Sequence, residues 1–441
     1  MSEVKVPEGY KQTEIGVIPE DWNLLLAKEM TSFIGGYSFS SNSAQDNGIR
    51  WIKIANVGVN KVKWDAKSYL PYSFSEVHSK YLLKENDVVI ALTRPILSEN
   101  LKIARLRLSD TPSLLNQRVA KLEVTSKGDI NFAYYALQTS NFIAAMNLAM
   151  AGTDPPNIGT KALSKIQILI PPKQEQTAIA NALSDIDDLI GSLEKLIAKK
   201  EAIKTGTMQQ LLTGKTRLPE FTTRDDGSLK GFKQTELGRI PEDWDYLTLD
   251  SMANVRGGKR LPKGKQLVKA QTKHPYIRVA DMFMGGVDTT NMLYLTEDTA
   301  PLIKNYRIFS NELFISVAGT IGLIGKIPAE LDKANLTENA DRICNIQGDS
   351  TYFLYYLSSQ KVQDKILSQI TVGAQPKLAI QRINSLDILS PNSIEEQTAI
   401  ATILADMDAE IQAVQQRLEK TRDIKQGMMQ QLLTGKVRLV D

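Results

Sequence analysis

Two stretches of the chain carry the same hydrophobic spacing. From Gln174 to about Leu212, Ile179, Leu183, Ile186, Ile190, Leu193 and Ile197 recur at intervals of 4-3-4-3-4, and 221 residues later Ile400, Leu404, Met407, Ile411, Val414 and Leu418 repeat them. This spacing predicts a coiled-coil seam on each of two helices. A helix of about 38 residues runs roughly 57 Å at ~1.5 Å per residue. An exposed apolar seam of that length would aggregate, so it needs cover. Pairing of the two helices supplies it, and an antiparallel pair places one globular domain at each end; the other arrangement is a helix packed on its own domain. Gly214 and Gly435, after Gln-Gln-Leu-Leu-Thr, are placed as C-caps, and Ser393 with Glu396 resembles a capping box.

The seams belong to a longer repeat. Gly9–Trp22 (GYKQTEIGVIPEDW) returns at Gly231–Trp244 (GFKQTELGRIPEDW), Glu175–Ala180 (EQTAIA) at Glu396–Ala401, and Met208–Lys215 (MQQLLTGK) at Met429–Lys436. Between these blocks the sequence diverges while the order of elements persists. Trp51–Val57 and Tyr276–Met282 alternate like half-buried strands, whereas Asp87–Thr93 and Glu312–Gly319 are short apolar runs that predict fully buried ones. A helix is expected over about 131–150 and again over about 350–370. Next come a Gly/Pro loop (AGTDPPN, VGAQPK), one more strand, and a proline before the long helix. The domains expected are therefore 1–172, a helix over 173–215, a second domain over 216–391, and a distal helix over 392–441.

The 441-residue chain is 42% hydrophobic and 23% charged, which excludes disordered and collagen-like classes. One cysteine, Cys344, excludes an intramolecular disulfide and a cysteine-based zinc site. With only His78 and His274, a histidine-rich metal centre is excluded too, and surface or loop positions account for both. No apolar run approaches the roughly 20 residues of a membrane span, and MSEVKVPEGY lacks the apolar core of a signal peptide, so a cytoplasmic protein is expected. The net charge of +3 is mild, so any nucleic-acid binding must rest on local clusters.

One such cluster stands out. Ser251–Ala280 contains Arg256, Lys259, Arg260, Lys263, Lys265, Lys269, Lys273 and Arg278 with no acidic residue, and Gly257, Gly258 and Gly264 would let the backbone approach a ligand. This suits phosphate contact; the alternative is a solvated loop. The first copy has instead a polar and aromatic loop, Ile34–Asn42. Asp154-Pro155-Pro156-Asn157 looks like the Asp/Asn-Pro-Pro-aromatic motif of amino-methyltransferases, but Asn157 stands where the aromatic belongs and the counterpart is Gln375-Pro376-Lys377, so a connecting loop is expected. Gly214-Lys215-Thr216 imitates a phosphate-binding loop but ends a helix, with Gln209 where the first glycine belongs. No catalytic constellation emerges.

Together, the E-Q-x-x-I helix starts (Glu175, Gln176, Ile179; Glu396, Gln397, Ile400), the Q-L-L-T-G-K ends and the opening segments Ile15–Trp22 and Leu237–Trp244 resemble the specificity subunits of type I restriction-modification systems along essentially the whole chain. The resemblance implies a mixed α/β (α+β) fold: two similar target recognition domains joined by two long helices in an antiparallel coiled coil, a pseudo-two-fold internal repeat. It implies a non-catalytic subunit that reads a bipartite, asymmetric double-stranded DNA target. The helices would act as a spacer longer than the roughly 34–36 Å turn of B-DNA. It further implies docking of two methyltransferase subunits and, through them, two restriction subunits. No cofactor would be bound by this chain; S-adenosylmethionine, ATP and Mg²⁺ serve the partners. Candidate DNA-binding residues are Tyr37, Ser38, Ser40, Asn42, Arg94, Asn116, Gln117 and Arg118 in the first domain, and Arg256, Lys259, Arg260, Lys263, Lys265, Thr320 and Arg342 in the second. A self-contained DNA methyltransferase or nuclease, or a structural coiled-coil adaptor, are the competing classes.

Overall fold

The computed structural model describes residues 6–65, 68–236, 238–370 and 376–439. The chain divides into two compact units, Met1–Glu194 with Gln416–Asp441, and Lys195–Gln415. Among the described residues no helix is long and apolar enough to cross a membrane.

In the first unit, a four-stranded antiparallel sheet has the order Ile103–Arg105, Val88–Ala91, Val119–Val124, Thr31–Gly35. A second sheet runs Tyr69–Leu70, Ile49–Ile52, Ser113–Leu115, Leu82–Leu83, and its central pair is parallel. The apolar run at Val88–Ala91 has a direct explanation. Val88 and Ile90 enter one hydrophobic cluster while Val89 and Ala91 enter another, so both faces of the strand are buried. The stretch Trp51–Val57 is a strand only to Ile52; Asn56 then folds the chain into a turn, its side chain accepting from Lys53 N–H and donating to Lys63 C=O.

The second unit repeats this plan. One sheet has the order Asn254–Gly257, Ala340–Cys344, Leu313–Ser316, Ile324–Lys326; the other runs Leu293–Tyr294, Pro275–Ile277, Ala334–Leu336, Arg307–Ile308, again with a parallel central pair. Leu313 and Ile315 face one cluster and Phe314 the other. Here Tyr276–Met282 is strand only to Ile277, and a 3₁₀ turn, Val279–Asp281, follows.

The helices expected near 131–150 and 350–370 are each broken in two. Ile130–Ala136 is followed by Ser140–Ala149, and Ser350–Leu357 by Gln360–Ser368. Thr139 causes the first break: its hydroxyl donates to Ala136 C=O and accepts from Phe142 N–H, closing one helix and capping the next. Asp129 and Asp349 cap the leading helices through paired backbone N–H contacts.

The long helices are Lys173–Leu211 and Ile394–Leu432. In the first unit Asp187 pairs with Lys425 at 2.6 Å and Glu194 with Arg422 at 2.7 Å. In the second unit Lys200 pairs with Glu410 at 2.6 Å and Lys204 with Asp408 at 2.5 Å. As residue numbers rise along one segment they fall along its neighbour, so the paired segments are antiparallel in each unit. Tyr135 donates to Asp187 and Tyr355 to Asp408, tying each ion pair to the adjoining domain. Ile179, Leu183, Leu193, Ile400, Leu404, Ile411 and Leu418 are buried, and Ile186, Ile190, Ile197, Met407 and Val414 half-buried. Ile179 and Leu183, like Ile400 and Leu404, join the core of a domain, so the seam serves domain packing as well as helix pairing.

Candidate nucleic-acid interface

The loops that differ most between the copies share one backbone construction. In the first unit Gly36 N–H donates to Val119 C=O and Tyr37 N–H to Leu115 C=O, while Gln117 N–H returns a bond to Tyr37 C=O. Leu92 N–H donates to Arg118 C=O and Arg94 N–H to Pro156 C=O. Tyr37, Asn116, Gln117, Arg118 and Arg94 are thereby brought together at one end of the sheet. All are exposed except half-buried Asn116. Tyr37 stacks loosely against His78 at 4.3 Å and Tyr81 at 5.4 Å between ring centres, so half-buried His78 is part of an aromatic support beneath this loop. Ser38 and Asn42 are exposed beside it; Ser40 is spent locally, capping a turn by accepting from Asn42 N–H. Thr93 donates to Asn157 at 2.7 Å, which makes the Asp154–Asn157 segment a stapled connecting loop.

In the second unit Gly258 N–H donates to Ala340 C=O and Lys259 N–H to Leu336 C=O, matching Gly36 and Tyr37. The glycines have the same cause in both copies. A Cβ at Gly36 would lie 2.2 Å from Asn116 oxygen, and one at Gly258 would lie 1.9 Å from Thr337 oxygen. Gly258 therefore serves approach to the protein's own backbone, not to a ligand as its sequence context suggested. Arg256, Lys259, Arg260 and Lys263 are exposed, as is Thr320, whose carbonyl accepts from Ser316 hydroxyl.

Several cations of this cluster are engaged. Arg260 Nε donates to Glu338 at 2.6 Å, Lys265 pairs with Asp298 at 2.5 Å, and Lys259 lies over the Tyr306 ring at 5.3 Å. Hydrogen bonds from Lys265 and Thr296 hold the Asp298 carboxyl down to about 2. Arg342 is half-buried. It donates to Arg307 C=O at 2.6 Å and faces Glu312 at 3.4 Å, a structural contact inside the sheet, because its strand is central and carries it inward. Glu312 is pushed up by burial, against the pull of Arg342. His274 meets Glu297 at 3.0 Å. Of the Gly/Pro loop in the second copy, Gln375 and the residues before it back to Thr371 lie outside the described residues, as does Leu237 of the opening segment.

A second constellation explains why the blocks between the variable regions are near-identical. Trp22 Nε1 donates to Glu175 at 2.8 Å, and Arg438 donates to both oxygens of Glu175 at 2.6 and 2.8 Å and to Asp21 at 2.8 Å. In the second unit Trp244 donates to Glu396 at 3.3 Å, and Arg217 to both Glu396 oxygens at 3.0 and 2.6 Å and to Asp243 at 2.8 and 3.1 Å. Burial pulls the Arg217 guanidinium down, but its two carboxylates outweigh this and hold it above its ordinary value. The helix-end glycines complete the cluster: Gly214 and Gly435 adopt φ of +66° and +71°, and Pro241 and Pro19 lie where a Cβ would go. The capping box expected at Ser393 is half formed. Ser393 accepts from Glu396 N–H, but the Glu396 carboxylate is taken by Arg217 and Trp244. Arg217 and Arg438 escaped the sequence reading although they too are 221 apart, two residues beyond each T-G-K.

Among the described residues no group of three or more His, Cys, Asp or Glu side chains could hold a metal. The geometry is that of two built platforms with different side chains. The family model for the type I restriction modification DNA specificity domain matches residues 19–204 and 241–421. The MjaVIII specificity subunit of Methanocaldococcus jannaschii is 37% identical over 212 residues, covering 48% of this chain and 50% of that protein, so the chain spans about half the length of this relative. The EcoBI specificity subunit of Escherichia coli is 23% identical over 448 residues, covering 95% of this chain and 87% of that one. In fold, the crystal structure of the type I S subunit from M. genitalium aligns with a TM-score of 0.57 at 17% identity over 97% of this chain and 98% of that chain. With both repeats matched, the chain belongs to the type I restriction-modification DNA specificity family.

Proposed function

We propose that this chain is the non-catalytic, sequence-reading subunit of a type I restriction-modification complex, with each unit reading one half of a bipartite, asymmetric DNA target. One observation carries this reading. The loops anchored at Gly36 and Gly258 share their two anchoring backbone bonds but carry different side chains: Tyr37 and Ser38 beside Asn116, Gln117 and Arg118, against Lys259 and Arg260 beside Thr337, Glu338 and Asn339. Equal frames with unequal side chains suit recognition of two different sequences, with phosphate contacts fixing register and base-edge contacts giving specificity.

The near-identical helices and clamps then offer similar docking surfaces to two copies of a methyltransferase subunit, through which restriction subunits join. At ~1.5 Å per residue, each 39-residue helix is roughly 58 Å long. S-adenosylmethionine, ATP and Mg²⁺ belong to those partners, which act on an adenine flipped from the duplex. The complex works on DNA in the cytoplasm. Co-expression with the methyltransferase subunit and genome-wide mapping of N6-methyladenine tests the reading: a two-part asymmetric target supports it, and a continuous symmetric target or no methylation overturns it. Methyl transfer by the purified chain alone would instead favour a self-contained enzyme.

A further inference from the structure

The second-unit platform contains an arginine held differently from its neighbours. Arg260 is 80% exposed along its side chain, yet its Nε donates to Glu338 Oε1 at 2.6 Å, and Glu338 Oε2 accepts from Thr337 at 3.1 Å. The loop beneath is fixed by Lys259 N–H to Leu336 C=O at 2.9 Å and by Tyr276 hydroxyl to Lys259 C=O at 2.8 Å. Neither terminal nitrogen of Arg260 donates to a protein group among the described residues. The guanidinium is therefore gripped by its inner edge and presents two free NH₂ groups outward. Lys265 shows the contrast: its single charged atom is consumed by Asp298.

From this geometry we infer that Arg260 reads a guanine in the second half-site and that Glu338 is its positioning residue; the inference rests on the DNA-reading function proposed above. A planar fork fits guanine O6 and N7 in the major groove. An unsupported arginine loses rotamer freedom on being fixed; the carboxylate fixes it before DNA arrives. Phosphate contact is the poorer use, because Glu338 would bring a second anion against the backbone. In the first unit Ser38 and Gln117 occupy the matching positions, so no such fork exists there and its half-site is read by other means.

The test uses the full chain assembled with its methyltransferase subunit and a duplex library randomised across the target, with methylome mapping in the host as the second readout. Arg260→Ala and Glu338→Gln should each lower the preference for guanine at one position of one half-site, by roughly 5- to 160-fold for Arg260→Ala, the equivalent of ~1–3 kcal/mol. The other half-site and the salt dependence should stay as they were. A phosphate contact predicts the reverse: an unchanged consensus, weaker binding to every sequence and a salt slope reduced by about one for Arg260→Ala, with tighter binding for Glu338→Gln. That result overturns the inference and leaves the functional reading intact, whereas a wild-type complex that selects no bipartite sequence removes both.

Discussion

Removing Arg217 should destabilise the second unit far more than an ordinary surface ion pair would. The Arg217 side chain is 6% exposed and that of Glu396 1%, and four hydrogen bonds join the arginine to Glu396 and Asp243. Arg217→Met keeps the aliphatic stem but strands the Glu396 carboxylate, with Trp244 as its remaining side-chain donor among the described residues. A buried pair broken at one partner costs about 3–5 kcal/mol. In the matching clamp Arg438 is 27% exposed, so water can replace part of what is lost and Arg438→Met should cost nearer ~1.5–3 kcal/mol. Trp244 is the one tryptophan between positions 195 and 415 and touches the clamp itself, so its own resonance in a fluorotryptophan-labelled chain, resolved from those of Trp22, Trp51 and Trp64, reports the second unit during urea unfolding. Adding Glu396→Gln to Arg217→Met removes the stranded charge and should recover part of the loss. A shift below about 1 kcal/mol for Arg217→Met, or no recovery in the double variant, would refute the reasoning.

Asp341 is pushed up to about 6 by burial, with Lys377 pulling the other way. Its folded state holds a proton that the unfolded chain has released, so stability falls as pH rises from about 4 to about 6, by roughly 3 kcal/mol over two units at ~1.36 kcal/mol each. Asp341→Asn should flatten that window and raise the second unit's stability at pH 8, read from urea midpoints at pH 4.5 and 8. Gly206 and Gly427 lie inside the long helices, five residues before their C-terminal ends, with open space around them; alanine at either should raise the thermal midpoint, at up to ~1 kcal/mol each, and a lower midpoint would contradict this. Gly36→Ala and Gly258→Ala should each displace one recognition loop, because backbone oxygens 2.2 and 1.9 Å away cannot yield cheaply. The measured sign is loss of preference for one half-site while the other is read normally.

The repeat and the seams were legible because helix pairing and domain closure use a periodic code, and that code recurs 221 residues later. Buried strands such as Val88–Ala91 were legible for a similar reason, since each of their side chains must be apolar. Breaks at Thr139 and Ser359 were hidden, because each lies in a run of four polar residues, Gln138–Asn141 and Ser358–Lys361, that the solvent face of an unbroken helix could equally carry. The basic loop was visible as composition, but its acidic partners Glu338 and Asp298 lie on other segments. Which cations are engaged therefore depended on tertiary contact. Arg342 shows the same limit: charge alone does not reveal that a residue lies in a central strand beside Glu312.

Residues 416–441 complete the first unit, bringing Leu432 and Leu433 into its core, Gly435 against Pro19 and Arg438 onto Glu175. During synthesis this inverts the usual order of maturation. The second unit, 195–415, is one unbroken stretch and can close as soon as it clears the ribosome, whereas the unit begun first must wait for residues made after all of the other. Until then Trp22 and its neighbours lack part of their cover. A chain cut short after position 415 would have a complete second unit and an open first one.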